Sequence, residues 1–329
     1  MTGSPPVLMQ TSSVLTFANR LDHILARLGF RRGRHRVQAG LYQLGSPDDR
    51  SPVFVTANYT LSFDALRSAL VGVDGYILVL DTGGVNVWCA AAKGTFCTDE
   101  LVRRIETSQL REVVKHRQLI LPQLGAAGVS AHRVKQRSHF KVEYGPLRAK
   151  DLPEYLRTRT ATPEMRRVTF PLAERMVLVP VELVYVFLPL LLAALLLGLL
   201  LSPLAAWGAA AAVLSGAVVF PALLPWLPAR AFSLKGFYLG AAAALPFALA
   251  AWSAGSLAPW WVRLLSVLVY ALGMPAVTAY LALNFTGSTP LVSHTAVRLE
   301  MKRYIPVMAA MAGLALISVI ALIIYRFTT

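Results

Sequence analysis

The sequence predicts a two-part protein: an open, mostly parallel α/β sheet with helices on both faces, followed by an all-α bundle of five transmembrane helices. Three observations carry this expectation. Charge is segregated: residues 1–176 hold 25 Lys+Arg against 15 Asp+Glu, a net of +10, whereas residues 177–329 hold only 7 against 2. The second half is divided into five apolar runs of about 20 residues or more, the length a bilayer core requires. The first half alternates short apolar runs with helix-like stretches, the pattern of a sheet covered on both faces. Over the 329 residues, 56% are hydrophobic and 15% charged, against roughly 25% charged in soluble domains.

In the first domain, taken as residues 1–165, a helix over 15–28 comes first. A basic stretch over 31–36 follows and reads as a solvated or lipid-facing surface. A strand over 52–57 and a helix over 61–70, begun near Thr60, come next. The continuous apolar run 76–80 suits a buried parallel strand. A helix over Thr98–Thr107 carries Asp99 and Glu100 in its first turn, which favours the helix dipole. A strand over Gln118–Leu121, a helix over 130–137 and a strand over 140–143 complete the domain. In open sheets ligands bind beyond the C-terminal ends of strands, so the candidate binding segments are 56–60, 81–84, 122–125 and 144–146. From them Thr56, Asn58, Thr60, Thr82, Gly83, Gln123 and Gly125 are taken as candidate cofactor contacts.

A basic linker, 166–176, leads into spans at about 177–201, 204–227, 236–254, 260–283 and 304–326. Arg166, Arg167 and Arg175 precede the first span, Arg230 and Lys235 follow the second, and Arg298, Lys302 and Arg303 lie between the fourth and fifth. These basic links all fall on the side of the first domain, so the positive-inside rule puts that domain in the cytoplasm and the C-terminus outside. No basic-then-apolar leader opens the chain, which agrees with a cytoplasmic first domain in an inner membrane. The expected partner of the second half is membrane lipid. The net charge of +15 is matched to anionic headgroups. Nucleic acid is not expected as a partner, because no nucleic-acid motif accompanies the charge. Glu182 and Arg263 lie near span ends and are read as snorkelling groups.

Chemistry is concentrated in Asn86-Val87-Trp88-Cys89-Ala90-Ala91-Ala92-Lys93. Gly83 and Gly84 permit a sharp turn off the strand, and Asn86 is a plausible helix cap. Cys89 then lies in the first turn of a short helix, where orphan amides favour thiolate over thiol, as a soft metal ligand requires. On a helical wheel Cys89 shares a face with Val85, Ala92, Lys93 and Phe96. Little bulk surrounds the sulfur, and Lys93 is placed to donate to a ligand's rim. By itself this pattern is also that of a small buried hydrophobe. Cys89 and Cys97 are the two cysteines, and a structural disulfide is not expected in a reducing compartment.

This segment resembles the cap-helix motif of the HgcA family, the corrinoid proteins of microbial mercury methylation. The resemblance extends through Val55-Thr56-Ala57-Asn58-Tyr59, Leu61-Ser62-Phe63-Asp64-Ala65-Leu66-Arg67, Leu121-Pro122-Gln123-Leu124-Gly125-Ala126, Ala161-Thr162-Pro163-Glu164-Met165 and Asn284-Phe285-Thr286-Gly287. It implies a Rossmann-like corrinoid-binding domain with a base-off, cobalamin-type cofactor and Cys89 as the lower axial ligand to cobalt. Asn86, Val87, Trp88, Ala90, Ala91, Ala92 and Lys93 are implied as its neighbours. It implies a methyltransferase: a methyl group passes from a methyltetrahydrofolate-dependent donor through methylcobalt(III) to Hg(II). The implied partner is a small ferredoxin-like protein with two 4Fe–4S clusters, of the HgcB type.

Two positions depart from the family. Ala92 stands where Gly is usual, one helical turn from Cys89, and Cys97 also replaces a usual Gly. They leave open a corrinoid methyl carrier with another acceptor: a different metal, a metalloid or a one-carbon pathway. A membrane transporter or sensor with a regulatory α/β domain is the reading from another class, weakened by the few polar residues in the spans. No HExxH, CxxC, P-loop or GxSxG occurs. His116, His132 and His139 read as solvated surface, and Trp88 as packing that orients the cap helix.

Overall fold

The computed structural model describes residues 6–254, 257–289, 292 and 294–328. The chain divides into two compact units, Met1–Val168 and Thr169–Thr329. The stretch read as a linker contains a helical turn, Leu172–Met176, that belongs to the second unit.

The first unit holds six strands: β1 (Leu8–Thr11), β2 (Gly40–Leu44), β3 (Val53–Ala57), β4 (Gly75–Leu80), β5 (Gln118–Leu121) and β6 (Lys141–Tyr144). They form one sheet in the order β1-β2-β4-β3-β5-β6. β4, β3, β5 and β6 are mutually parallel, and β2 runs antiparallel to β4. β1 and β2 were not expected as strands. β1 is four residues long, and β2 gains its place only through its ladder with β4. β3 and β4 are central and buried along their whole length, which is why 76–80 reads as an unbroken apolar run.

Helices cover both faces. α1 (Phe17–Arg27) opens with a capping box between Thr16 and Asn19. α2 (Thr60–Ala69) packs Phe63 and Leu66 with Phe54, Ile77 and Val79 of the sheet. On the other face lie α3 (Val87–Lys93), α4 (Thr98–Thr107) and α5 (Leu110–Val113). There Leu101, Ile105 and Leu110 pack with Val53, Val55, Leu78 and Leu80. α6 (Ala131–Ser138) precedes β6, and α7 (Leu152–Thr158) and α8 (Pro163–Arg166) follow it. β3 connects to β4 on one side and lies beside β5 on the other, so the strand order reverses at β3. Such a switch point opens a crevice at the C-terminal strand ends.

The second unit begins with α9 (Leu172–Met176) and holds α10 (Val179–Leu200), α11 (Pro203–Leu214), α12 (Phe220–Leu223), α13 (Phe232–Ala254), α14 (Trp260–Phe285) and α15 (His294–Thr328). A π-helical turn, Ser215–Val219, joins α11 to α12. Among the described residues, five helical segments are long and apolar enough to cross a membrane. Their starts differ from the expected runs: α13 begins at Phe232 and α15 at His294, because helical hydrogen bonding continues through polar flanks that hydropathy excludes. Gly255, Ser256 and positions 290, 291 and 293 of the expected links lie outside the described residues.

Small residues set the helix spacing. A Cβ at Gly236 would come within 2.6 Å of Ala279 Cα, and one at Gly240 within 2.6 Å of Pro275 Cα, so α13 and α14 approach backbone to backbone. α10 differs: none of its most apolar stretch is buried, against 44% for the span that includes α11. Phe187, Leu188, Leu191, Leu192, Leu195 and Leu196 are all exposed, a contiguous apolar face far beyond scattered surface hydrophobics.

Candidate functional site

The loop that leaves β4 is fixed before the cap helix begins. Asn58, just past β3, is 3% exposed. Its Oδ1 accepts from the Thr82 amide (3.0 Å), the Thr82 hydroxyl (2.9 Å) and the Gly84 amide (2.9 Å), and its Nδ2 donates to Asp81 Oδ1 at 3.0 Å. From the other side Glu100 accepts the Asp81 amide at 2.9 Å. Gly83 and Gly84 have φ of +67° and +76°, the left-handed region that glycine enters without strain. Gly84 lies against the His35 carbonyl and Arg36.

α3 starts where the chain turns back. Asn86 is its N-cap and accepts the Cys89 amide at 2.9 Å. Gly94, with φ +80°, ends it one residue after Lys93. Ala90 and Ala91 are buried; Cys89 is half-buried, and Ala92 and Lys93 are exposed. Because the helix stops at Lys93, Phe96 does not share the Cys89 face as the wheel suggested. It turns beneath the helix and is fully buried.

Burial pushes the Cys89 thiol up, and the Asn86 side chain and the Lys93 charge only partly oppose this. The expected thiolate is therefore not favoured by the protein alone. A seven-residue helix has a weak dipole end, whereas the core beneath Ala90 and Ala91 removes water.

Glycine again permits close packing behind the helix. A Cβ on Gly128 would lie 2.1 Å from the Phe96 carbonyl and 3.0 Å from Ala91 Cα; one on Gly125 would lie 2.6 Å from Phe96. Gly125, expected at the cofactor edge, is buried against Phe96. Gln123 Oε1 accepts from Arg166 at 3.2 Å.

A cavity of about 210 Å³ opens at the switch point, between the ends of β3 and β5, α2 and the start of α3. Of the expected contacts, Thr56, Asn86, Val87 and Trp88 line it. Leu124, Pro146 and Leu147 also line it, two of them from the segments 122–125 and 144–146. Cys89, Ala92 and Lys93 lie outside its wall. Thr60 and Thr82 are buried, and the one proton of the Thr82 hydroxyl is shared between Asn58 Oδ1 and the Val85 carbonyl, the latter at 2.7 Å. Asn58 and Thr82 thus hold the loop through contacts within the protein.

A second buried network anchors α1 to α2. Asp64, 1% exposed, accepts from Arg67 Nε at 2.6 Å and pairs with His23 at 2.7 Å. Arg67 also donates to the Ser12 and Val14 carbonyls. His35, 5% exposed, faces Asp22 Oδ1 at 2.7 Å and the Phe30 carbonyl at 2.5 Å. The basic stretch 31–36 is therefore anchored at His35 and not wholly solvated. His116 is likewise half-buried, bonded to the Ser51 carbonyl at 2.8 Å; His132 and His139 are exposed.

The sequence reading missed Glu100 as a loop anchor. Burial disfavours its charge. Together the Asp81 amide, Arg104 and Arg103 outweigh that burial and hold the carboxyl below the usual range. Its only legible signal was an acidic residue followed by two arginines at helical spacing. Gly128 gave no signal, since its constraint comes from residues more than 30 positions away.

Among the described residues, no group of three or more His, Cys, Asp or Glu could hold a metal ion by itself. Two cysteines are half-buried: Cys89 on α3 and Cys97 at the N-cap of α4.

Comparison with known proteins finds likenesses in the first unit. Residues 31–155 match the family described as CO dehydrogenase/acetyl-CoA synthase delta subunit. The acetyl-CoA decarbonylase/synthase complex subunit gamma of Methanopyrus kandleri is 35% identical over 127 residues, covering 38% of this chain and 27% of that protein. The corresponding subunit of Archaeoglobus fulgidus is 33% identical over 114 residues, 34% of this chain and 24% of the relative. The corrinoid/iron-sulfur protein large subunit of Moorella thermoacetica is 26% identical over 165 residues, 47% of this chain and 36% of the relative. The chain thus spans about a quarter to a third of the length of these relatives. The family match lies within the first unit and includes the whole cap helix, and these likenesses support a corrinoid-binding protein family.

Proposed function

We propose that this chain is a membrane-anchored corrinoid methyl carrier in which Cys89 is the protein's ligand to cobalt. The observation that carries the reading is the placement of Cys89: a half-buried sulfur in the first turn of an Asn86-capped helix, beside the C-terminal edge of the sheet. The match to proteins named for acetyl-CoA synthesis and for a corrinoid supports it.

A bound base-off corrinoid would supply a cobalt centre that accepts a methyl group and passes it on. The protein's own residues define what it can offer such a group. Cys89 must lose its proton to ligate, and with burial holding the thiol up, binding should release a proton near neutral pH. Lys93, four residues on, favours the resulting anion. Ala92 and Gly94 keep the exposed side of the helix low. Asn58 and Glu100 hold the loop that fixes where the helix starts. The cavity beside Trp88 is smaller than the 300–1,000 Å³ of drug-sized sites. Thr56, Asn86, Val87 and Trp88 would hold a substituent of such a group there, and Cys89 would offer it a sulfur.

In this proposal the methyl group comes from a methyltetrahydrofolate-dependent donor and goes to Hg(II), which is a substrate. A ferredoxin-like protein with two 4Fe–4S clusters returns electrons. The five spans anchor the carrier in the inner membrane with the α/β unit in the cytoplasm. The exposed apolar face of α10 supports the anchor, since lipid is the solvent that such a face suits. A one-carbon acceptor in place of Hg(II) is the second reading, favoured by the acetyl-CoA pathway names of the relatives.

The test is cobalt content and visible spectrum after reconstitution with a base-off corrinoid, for wild type and Cys89→Ala. Bound cobalt with a thiolate-ligated spectrum that Cys89→Ala abolishes is the expected result. Wild type that takes up no corrinoid would sink the proposal. Methyl transfer to Hg(II), with and without Ala92→Gly, then separates the two acceptors.

A further inference from the structure

The second unit contains a groove of about 790 Å³ between α10 and α15, floored by α11 and α14. Its wall is almost wholly apolar and rich in small side chains, among them Ala209, Gly273, Ala309 and Ala312. It runs along α10 from Tyr185 to Leu197 and along α15 from Ile305 to Val319. At 1.5 Å per residue that is about 20 Å, comparable to the roughly 15 Å of one leaflet of a bilayer core.

The two ends differ. At the Leu197 end the groove is tied shut: Arg326 Nη1 donates to the Leu200 carbonyl at 3.0 Å and the Leu201 carbonyl at 2.8 Å, joining α15 to the end of α10. At the other end Tyr185, Tyr280 and Asn284 reach the wall. Just beyond it, Arg298 and Lys302 stand exposed on α15. Arg298 is seven residues before Ile305, and Lys302 is seven before Ala309. Seven residues is nearly two whole turns, so both cations share the face that lines the groove. Three other cations have partners of their own: Arg303 lies over the Tyr304 ring, Arg175 donates to the Pro221 and Ala222 carbonyls and Lys235 to the Leu224 carbonyl.

We propose that this groove is a binding site for one anionic phospholipid, its acyl chain lying between α10 and α15 and its phosphate meeting Arg298 and Lys302. The inference rests on the membrane-spanning reading of the second unit. An apolar slot one leaflet long, closed at one end and flanked by two cations at the other, complements a lipid that is apolar along its length and anionic at one tip. Basic pockets between membrane helices take such headgroups. A second membrane helix would fit the small-residue wall but gives the cations no partner.

The test uses the full chain. Alkaline extraction of membranes comes first: release into the aqueous phase would overturn the membrane reading itself. For a chain retained in the membrane, native mass spectrometry in detergent follows titration with phosphatidylglycerol or phosphatidylcholine. One bound phosphatidylglycerol and little phosphatidylcholine is expected. Arg298→Gln and Lys302→Gln should each weaken phosphatidylglycerol binding by about fivefold, and both positions are exposed, so folding is not at stake. Ala309→Leu with Ala312→Leu should exclude the acyl chain and lower binding of either lipid. Equal binding of both lipids, indifference to the two cation variants, or a dimer that the Ala309→Leu variant dissociates would each overturn the lipid site and leave the anchoring reading standing.

Discussion

Two regions hold their polar backbone in opposite ways: the loop that delivers α3, and the helix ends of the second unit. In the first, acceptors hold amides: Asn58 takes the Thr82 and Gly84 amides and Glu100 takes the Asp81 amide, all within one loop. In the second, cations hold carbonyls at helix ends: Arg175 at Pro221 and Ala222, Lys235 at Leu224, Arg326 at Leu200 and Leu201. The difference follows from what each architecture leaves unsatisfied. A loop at the end of parallel strands exposes a row of amides that no ladder uses. Helices satisfy themselves except for their first amides and last carbonyls, and a long flexible cation can reach those carbonyls from a neighbouring helix. The acceptor route gives a loop rigid enough to deliver a functional helix. The cation route fixes helix ends and leaves the faces between them free to part, as they do between α10 and α15.

Asn58→Ala should have the largest effect. It removes one oxygen with three donors and leaves the Thr82 and Gly84 amides buried without an acceptor. A loss of about 2–4 kcal/mol is expected, read as a fall in the thermal unfolding midpoint of the full chain. Faster alkylation of Cys89 should accompany it, since the cap helix loses its anchor. An unchanged alkylation rate would mean that the loop does not govern the helix.

Arg175→Met comes next. It keeps side-chain volume and removes the donor to two carbonyls from a position 4% exposed. The expected loss is about 1–3 kcal/mol, confined to the second unit, so Cys89 alkylation should stay at the wild-type rate. A change in that rate would break the contrast between the two units.

Glu100→Gln is the smallest in size and the sharpest in sign. The Glu100 carboxyl is held below its ordinary value in the folded protein. Its charge therefore adds stability that is fully present above the unfolded value of about 4.3 and is lost as pH falls through the lower folded value. In Glu100→Gln that part of the acid-side decline should be missing, while stability at pH 7 drops modestly. Parallel acid profiles for the two proteins would count against the Asp81–Glu100–Arg104 anchor.

Much of the first unit was legible. Val53–Ala57 and Gly75–Leu80 are buried on both faces, and the second appears as a continuous apolar run; the Asn86 cap that starts the cap helix is local chemistry. Leu8–Thr11 and Gly40–Leu44 were not, because a strand at a sheet's end is specified by its partner as much as by its own residues. Among the site residues, Thr56, Asn86, Val87 and Trp88 lie together at the cavity, whereas Asn58, Thr82 and Gly125 turned inward. A polar residue at a strand end serves a ligand or the next loop, and no local pattern distinguishes the two.

What the sequence determined by itself were quantities set over short stretches: the division of charge between the halves, the five apolar lengths, the strand–helix alternation and the cap on the helix that carries Cys89. What only the tertiary structure decided depends on residues brought together from far apart. The reversal of strand order at β3 places the cavity. The depth of burial sets the Cys89 proton. The Gly128 contact with Phe96 and Ala91 seats the cap helix, and the tie from Arg326 to the end of α10 shapes the groove. The last two join residues 32 to 126 positions apart, and chain entropy hides such distances from any window of local sequence until the whole fold has closed them.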